Sequence, residues 1–217
     1  MRTNALLTSV AIWTSALAQQ ETVRYQDPET GITFASITHA NGASYRVALP
    51  INSTSSDAVL QIVAPKEFQW CGLAWGGHMT NNPLSVSWTT GATSGQKAIV
   101  SNRMAYSYYA VPQQYDGAEH TYLKGTTSND THWQVTARCQ GCTRWSSADG
   151  DIDITTVSET VFAYACSSYA PDTPNSNTSQ FNIHEQFGIW NHNLDLGRSE
   201  SFGDWIRNNP YEASVEV

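Results

Sequence analysis

The chain has 217 residues, 14% of them charged and 11% aromatic, with a net charge of −8. That balance argues against a nucleic-acid or anionic-membrane partner, and no segment has the ~20 apolar residues of a membrane span. About 200 residues suit one domain with a core that needs no metal or staple.

From the N-terminus, Arg2, the short apolar stretch 5–13 and Ala16-Leu17-Ala18 read as a secretory leader spanning 1–18. The expected mature domain is 19–217, exported and extracellular. The turn Asp27-Pro28-Glu29-Thr30-Gly31 precedes a strand over 32–38, and Asn41-Gly42 turns the chain into another over 44–49. Strands follow over 58–64 and 70–75. Residues 84–88 alternate strictly between apolar and Ser, which predicts one buried face. Further strands are expected over 97–101, 105–109, 132–138, 161–166 and 186–190, with a polar loop over 172–179 and one short helix around 203–207. Turn signals recur at sandwich spacing and no repeat or linker is evident. The pattern predicts an all-β chain, a single antiparallel β-sandwich.

Four cysteines in an exported chain imply disulfides. Cys139-Gln140-Gly141-Cys142 follows an alternating strand and opens no helix, so it reads as a small loop-closing disulfide rather than a redox pair. Cys71 and Cys166 each lie in an apolar run, and the simplest pairing joins them across the core. The sequons at Asn52, Asn129 and Asn177 agree with export and predict surface loops.

Two distant residues carry the functional reading. A Met in Trp75-Gly76-Gly77-His78-Met79 and a His in Phe181-Asn182-Ile183-His184-Glu185 can hold one haem iron from opposite sides, a pair suited to electron transfer. Paired glycines allow a flat ligand close approach. His78 is not expected to share the site, because adjacent strand side chains point to opposite faces. Thr143 stands where a c-type haem motif needs His, so a haem would be held without covalent links. A zincin reading of His184-Glu185 fails. In an extended segment His192 would lie about 26 Å away at ~3.3 Å per residue. G-x-S-x-G, G-x-G-x-x-G and the Walker pattern are absent. A copper monooxygenase using its own N-terminal His is excluded by Gln19. No acidic pair stands out for hydrolysis. The competing class is a cofactor-free carbohydrate-binding module that uses exposed Trp residues.

Tyr25-Gln26-Asp27-Pro28-Glu29-Thr30-Gly31-Ile32-Thr33-Phe34 resembles the opening of the cytochrome domain of fungal cellobiose dehydrogenases. So do Gly76-Gly77-His78-Met79 with Asn81-Asn82-Pro83-Leu84 and Trp88, Thr131-His132-Trp133 leading to the segment 138–145, and His184-Glu185-Gln186-Phe187-Gly188. The resemblance runs in order from about Tyr25 to Gly197. It implies a β-sandwich with one non-covalent haem b, Met79 and His184 as axial ligands, Tyr108 and Arg103 near the propionates, and the short disulfide at Cys139 and Cys142. By resemblance the electron donor is a flavin dehydrogenase, and the acceptor a copper polysaccharide monooxygenase, a quinone or a ferric complex. The family's enzymes continue through a Ser/Thr/Pro-rich linker into a dehydrogenase domain. This chain has neither, so it is expected to be a stand-alone relative or the cytochrome part of a larger enzyme, with no substrate-turnover site of its own.

Overall fold

The computed structural model describes residues 21–52, 55–147 and 150–213; the leader read from residues 1–18 lies outside them. The first strands are β1 (Val23–Gln26), β2 (Thr33–Thr38), β3 (Ser44–Pro50), β4 (Asp57–Pro65), β5 (Trp70–Ala74) and β6 (Pro83–Thr89). Next come β7 (Ala98–Met104), β8 (Gln113–Gln114), β9 (Glu119–Tyr122), β10 (Thr127–Ser128), β11 (His132–Gln140), β12 (Arg144–Ser147) and β13 (Gly150–Asp153). The chain closes with β14 (Glu159–Ser167), β15 (Gln186–Asn193), β16 (Arg198–Ser199) and the helix α1 (Phe202–Asn208).

One sheet runs β1-β2-β3-β4-β11-β10, with β9 on β11 and β16 on β3; the other runs β15-β14-β5-β6-β7-β8. The long pairings are antiparallel, and β16 joins β3 in parallel. The sandwich and its strands from 32 to 64 follow the sequence reading. Alternate residues of the two sheets meet in the main core. Val47, Leu60, Ile62, Trp133 and Val135 face Cys71, Leu73, Trp75, Phe162 and Trp190. Burying each such side chain stabilises by roughly 1.5–3 kcal/mol. The outer face of the first sheet is covered by α1, whose Phe202 packs with Phe34, Ala48 and Val59.

Three expectations are corrected. Strand β6 is buried on both faces: Ser85 and Ser87 point into the sandwich, while Leu84, Val86 and Trp88 face outward into a second apolar cluster. The Ser85 hydroxyl is satisfied there, accepting from Trp75 Nε1 at 2.9 Å. Residues 106–110 form bends and a turn rather than a strand, with Tyr106, Tyr108 and Tyr109 exposed. The Cys71–Cys166 disulfide forms, but within one sheet: the two residues are direct cross-strand partners on β5 and β14, with Cα atoms 4.1 Å apart. The competing glycan-binding class finds no support, because Trp70, Trp75, Trp88, Trp133, Trp145 and Trp190 are buried and Trp205 is half-buried. Among the described residues, no exposed Trp remains to hold a glycan. The Cys139–Cys142 disulfide forms as expected.

Candidate functional site

The second sheet's outer face is apolar yet only partly covered by protein. Its residues alternate with the core set. Trp70, Gly72 and Ala74 of β5 sit opposite Trp88, Val86 and Leu84 of β6 on one side. On the other side, Gly72 and Ala74 pair with Ala165 and Ala163 of β14, which in turn pair with Phe187 and Ile189 of β15. The small side chains at the centre leave a cavity of about 650 Å3, floored by Gly72, Ala74, Ala163 and Ala165. That size is ordinary for a cofactor pocket, which is concave and mostly apolar.

Two segments wall it, and each brings one of the expected ligands: Met79 and His184 both line this cavity. Met79 stands on a turn between β5 and β6, shaped by buried Asn82. The Asn82 amide donates to Thr80 O at 2.9 Å and His78 O at 3.1 Å. A Cβ on Gly76 would collide with the Asn82 side chain, so only glycine lets this turn close. Because the segment is a turn, the alternation argument does not apply. His78 lines the cavity beside Met79, its ring engaged by Gly76 O and Asn82.

His184 ends the connection between β14 and β15. The polar stretch 172–180 closes on itself through Asp172 N to Gln180 O at 3.0 Å, and Trp88 Nε1 donates to Pro174 O at 2.8 Å. At the far end, Glu185 N donates to Cys166 O at 3.0 Å, and both N and Oγ of Ser168 donate to the Glu185 carboxylate. Those bonds lower the Glu185 pKa. The His184 ring meets Phe187 edge-on at 5.3 Å, and its Nδ1 is buried with no partner among the described residues. Desolvation lowers its pKa, so the imidazole is neutral with a lone pair to give.

Tyr108 also lines the cavity and is largely exposed at its mouth. Arg103 does not line it. It is buried behind Phe181, donating to Ser101 Oγ and to the carbonyls of Pro112, Asn177 and Ser179, and so ties the His184 connection to β7. The missed residues are the floor and the anchors. Small residues in register across β5 and β14 were the available signal for the floor; Asn82 and Glu185 stand in the motifs that carry the resemblance, but nothing there gives them an anchoring role. His120, Cys139 and Cys142 converge within 4.8 Å, but the sulfurs are bonded to each other and offer no free thiolate set.

A thioether and a neutral, unpartnered imidazole at one apolar cavity over a flat, small-residue floor fit a planar iron cofactor. The family model described as the cytochrome domain of cellobiose dehydrogenase matches residues 25–204. The chain belongs to this family. Membership brings a haem cofactor and an electron-transfer role. This cytochrome domain is 30% identical over 209 residues to a pyrroloquinoline quinone-dependent pyranose dehydrogenase of Coprinopsis cinerea, covering 93% of the chain and 27% of that protein. The chain thus spans about a quarter of the length of this relative. Among solved structures it resembles the cytochrome b domain of pyranose dehydrogenase from Coprinopsis cinerea. There the TM-score is 0.77 and the identity 27%, covering 87% of this chain and 95% of that one. It also resembles the cytochrome domain of Myriococcum thermophilum cellobiose dehydrogenase, with TM-score 0.78 and identity 26%, covering 90% of this chain and 100% of that one.

Proposed function

We propose that residues 19–217 form a secreted one-electron carrier that holds one haem b between Met79 and His184. The observation that carries this reading is that the two side chains, far apart in sequence, line one apolar cavity. Non-covalent binding is supported by the cysteines: all four are paired, so none is left for a thioether link. When bound, the haem would supply a one-electron couple, and Met79 and His184 are the residues that would hold it, a pair that favours the ferrous state. The chain's own groups do the rest. Met79 offers a soft, neutral donor, His184 a neutral imidazole, and the apolar floor excludes water from both. Tyr108 stands at the mouth, where its hydroxyl can serve the propionate side. Arg103 acts from behind, through the loop it holds.

Export is supported by the leader pattern, the two disulfides and the exposure of Asn52, Asn129 and Asn177, each a candidate for glycosylation. Among the described residues no helix is long and apolar enough to cross a membrane. The relatives are domains of dehydrogenases, which supports a sugar dehydrogenase, flavin-dependent or otherwise, as donor. A copper polysaccharide monooxygenase, a quinone or a ferric complex is the acceptor in this reading, and the encounter is transient, as redox contacts are. An absorption spectrum of the secreted protein before and after dithionite tests the reading. A Soret band that shifts on reduction, with sharp α and β bands, is expected. A colourless protein that takes up no added haem would remove it.

A further inference from the structure

The geometry points to the Cys71–Cys166 disulfide as a crosslink that positions the two ligand segments relative to each other. This inference rests on the assignment of Met79 and His184 as ligands. The bond crosslinks the antiparallel pair from whose opposite ends those segments leave, the Met79 turn beyond Ala74 and the His184 connection beyond Ser167. Cys71 lies on β5, which runs directly into the Met79 turn. Cys166 lies on β14, which runs into the His184 connection, and its carbonyl also accepts the amide of Glu185, the residue after His184. Cys166 is therefore bonded covalently to the strand that leads into the Met79 turn and by hydrogen bond to the end of the His184 connection.

The need for such a bond follows from the cavity. Its floor requires Gly72 and Ala165 as facing partners on β5 and β14. A glycine in a strand interior weakens it, since it has no side chain to pack against its neighbours. On the outer face, then, the two strands gain little cohesion at the level where the ligand must lie flat. The adjacent pair on the inner face is Cys71 and Cys166, fully buried, with the Tyr45 hydroxyl 3.3 Å from Cys166 Sγ. The disulfide restores on one face what the floor gives up on the other.

The test compares the protein with a Cys71→Ala/Cys166→Ala variant, and with Cys71→Val/Cys166→Ala in case the first folds poorly. Leu60→Ala, in the core facing the other sheet, serves as a control for lost stability alone. Two quantities are read. The first is amide hydrogen exchange of the haem-free protein across 75–82 and 181–188. The second is carbon monoxide binding to the dithionite-reduced, haem-loaded protein, which requires an axial ligand to leave. Loss of the crosslink is expected to raise both by about 10-fold, the low end of what support beyond the ligands contributes. Amides of β2 and β3 should be unchanged, and Leu60→Ala should leave carbon monoxide binding unmoved. Exchange no faster in the two segments than in β2 and β3, with unaltered carbon monoxide binding, would overturn the inference. A wild-type protein that takes up no haem would sink the ligand assignment instead, while the exchange measurement still decides whether the bond holds the segments.

Discussion

The outer faces of the two sheets are covered in different ways. On the first sheet, α1 lays Phe202 over Phe34, Ala48 and Val59, and the face is filled by protein. On the second, the cover is a connection held in its interior by Arg103 and at its ends by Ser168 and Glu185, and the centre is left open over glycine and alanine. Both faces are apolar, so apolarity alone does not make a site. A site arises where side chains are too small to fill the space and a loop cannot reach across it. The floor exchanges packing for room, and filling that room with a flat apolar group recovers the burial.

That contrast can be broken from either side. His184→Ala removes the imidazole and is expected to lower haem retention by about 100-fold, the upper range for loss of ligand support, as read by Soret absorbance after dialysis. Filling the floor should act as strongly without touching a ligand. Ala165→Phe places a ring where the proposed cofactor would lie, so haem uptake should fall to near zero while the circular dichroism of the haem-free protein is retained. A core change away from the cavity, Ile62→Ala, should cost about 2–5 kcal/mol in urea unfolding with haem affinity of the folded fraction little altered.

Acid tests the inner face from another direction. His39, His120 and His192 have pKa values lowered by burial, to about 4, about 3 and about 3. His39 stacks on Tyr164 with ring centroids 4.3 Å apart, and His192 accepts from Trp190 Nε1 at 3.0 Å. Below the ordinary histidine value of about 6.5 the unfolded chain takes up protons that the native chain refuses. Stability should therefore be level above pH ~6.5 and fall as pH drops toward 3, by several kcal/mol in total on the order expected for three such groups. A flat unfolding free energy between pH 7 and 4 would contradict the burial of these rings. The smallest effect is expected from Met79→His, which should keep the haem but lower the midpoint potential, by ~0.1 V out of the roughly 0.8 V that axial ligands span.

Legibility in the sequence follows the same division. Continuous apolar strands such as 58–64 and 161–166 could be read because burial on the inner face demands large side chains at every second position. In 84–88 the alternation was visible, but a period of two does not say which face meets the other sheet. Ser85 is satisfied inside because Trp75 Nε1 supplies a donor there, whereas the Ser87 hydroxyl is buried with no partner among the described residues. The tyrosines of 105–109 look like strand residues by propensity, yet they turn outward at the cavity mouth, where no second sheet covers them. Met79 and His184 could be singled out as candidate ligands because thioether and imidazole are rare donors in telling settings. Their shared cavity could not, since it depends on which strands become neighbours. The floor left only a faint signal for a simpler reason: Gly72, Ala74, Ala163 and Ala165 matter for the atoms they lack.

The exposed rim of the cavity bears on how the protein is made. Tyr109, Ile183, Phe187 and Ile189 present apolar surface around the opening, and before the cofactor arrives the floor is open as well. A nascent chain in this state offers a chaperone or another copy of itself a contiguous greasy patch. Yield of monomeric protein from an expression host should therefore track the supply of haem, with cofactor-starved cultures giving aggregate in place of pale protein.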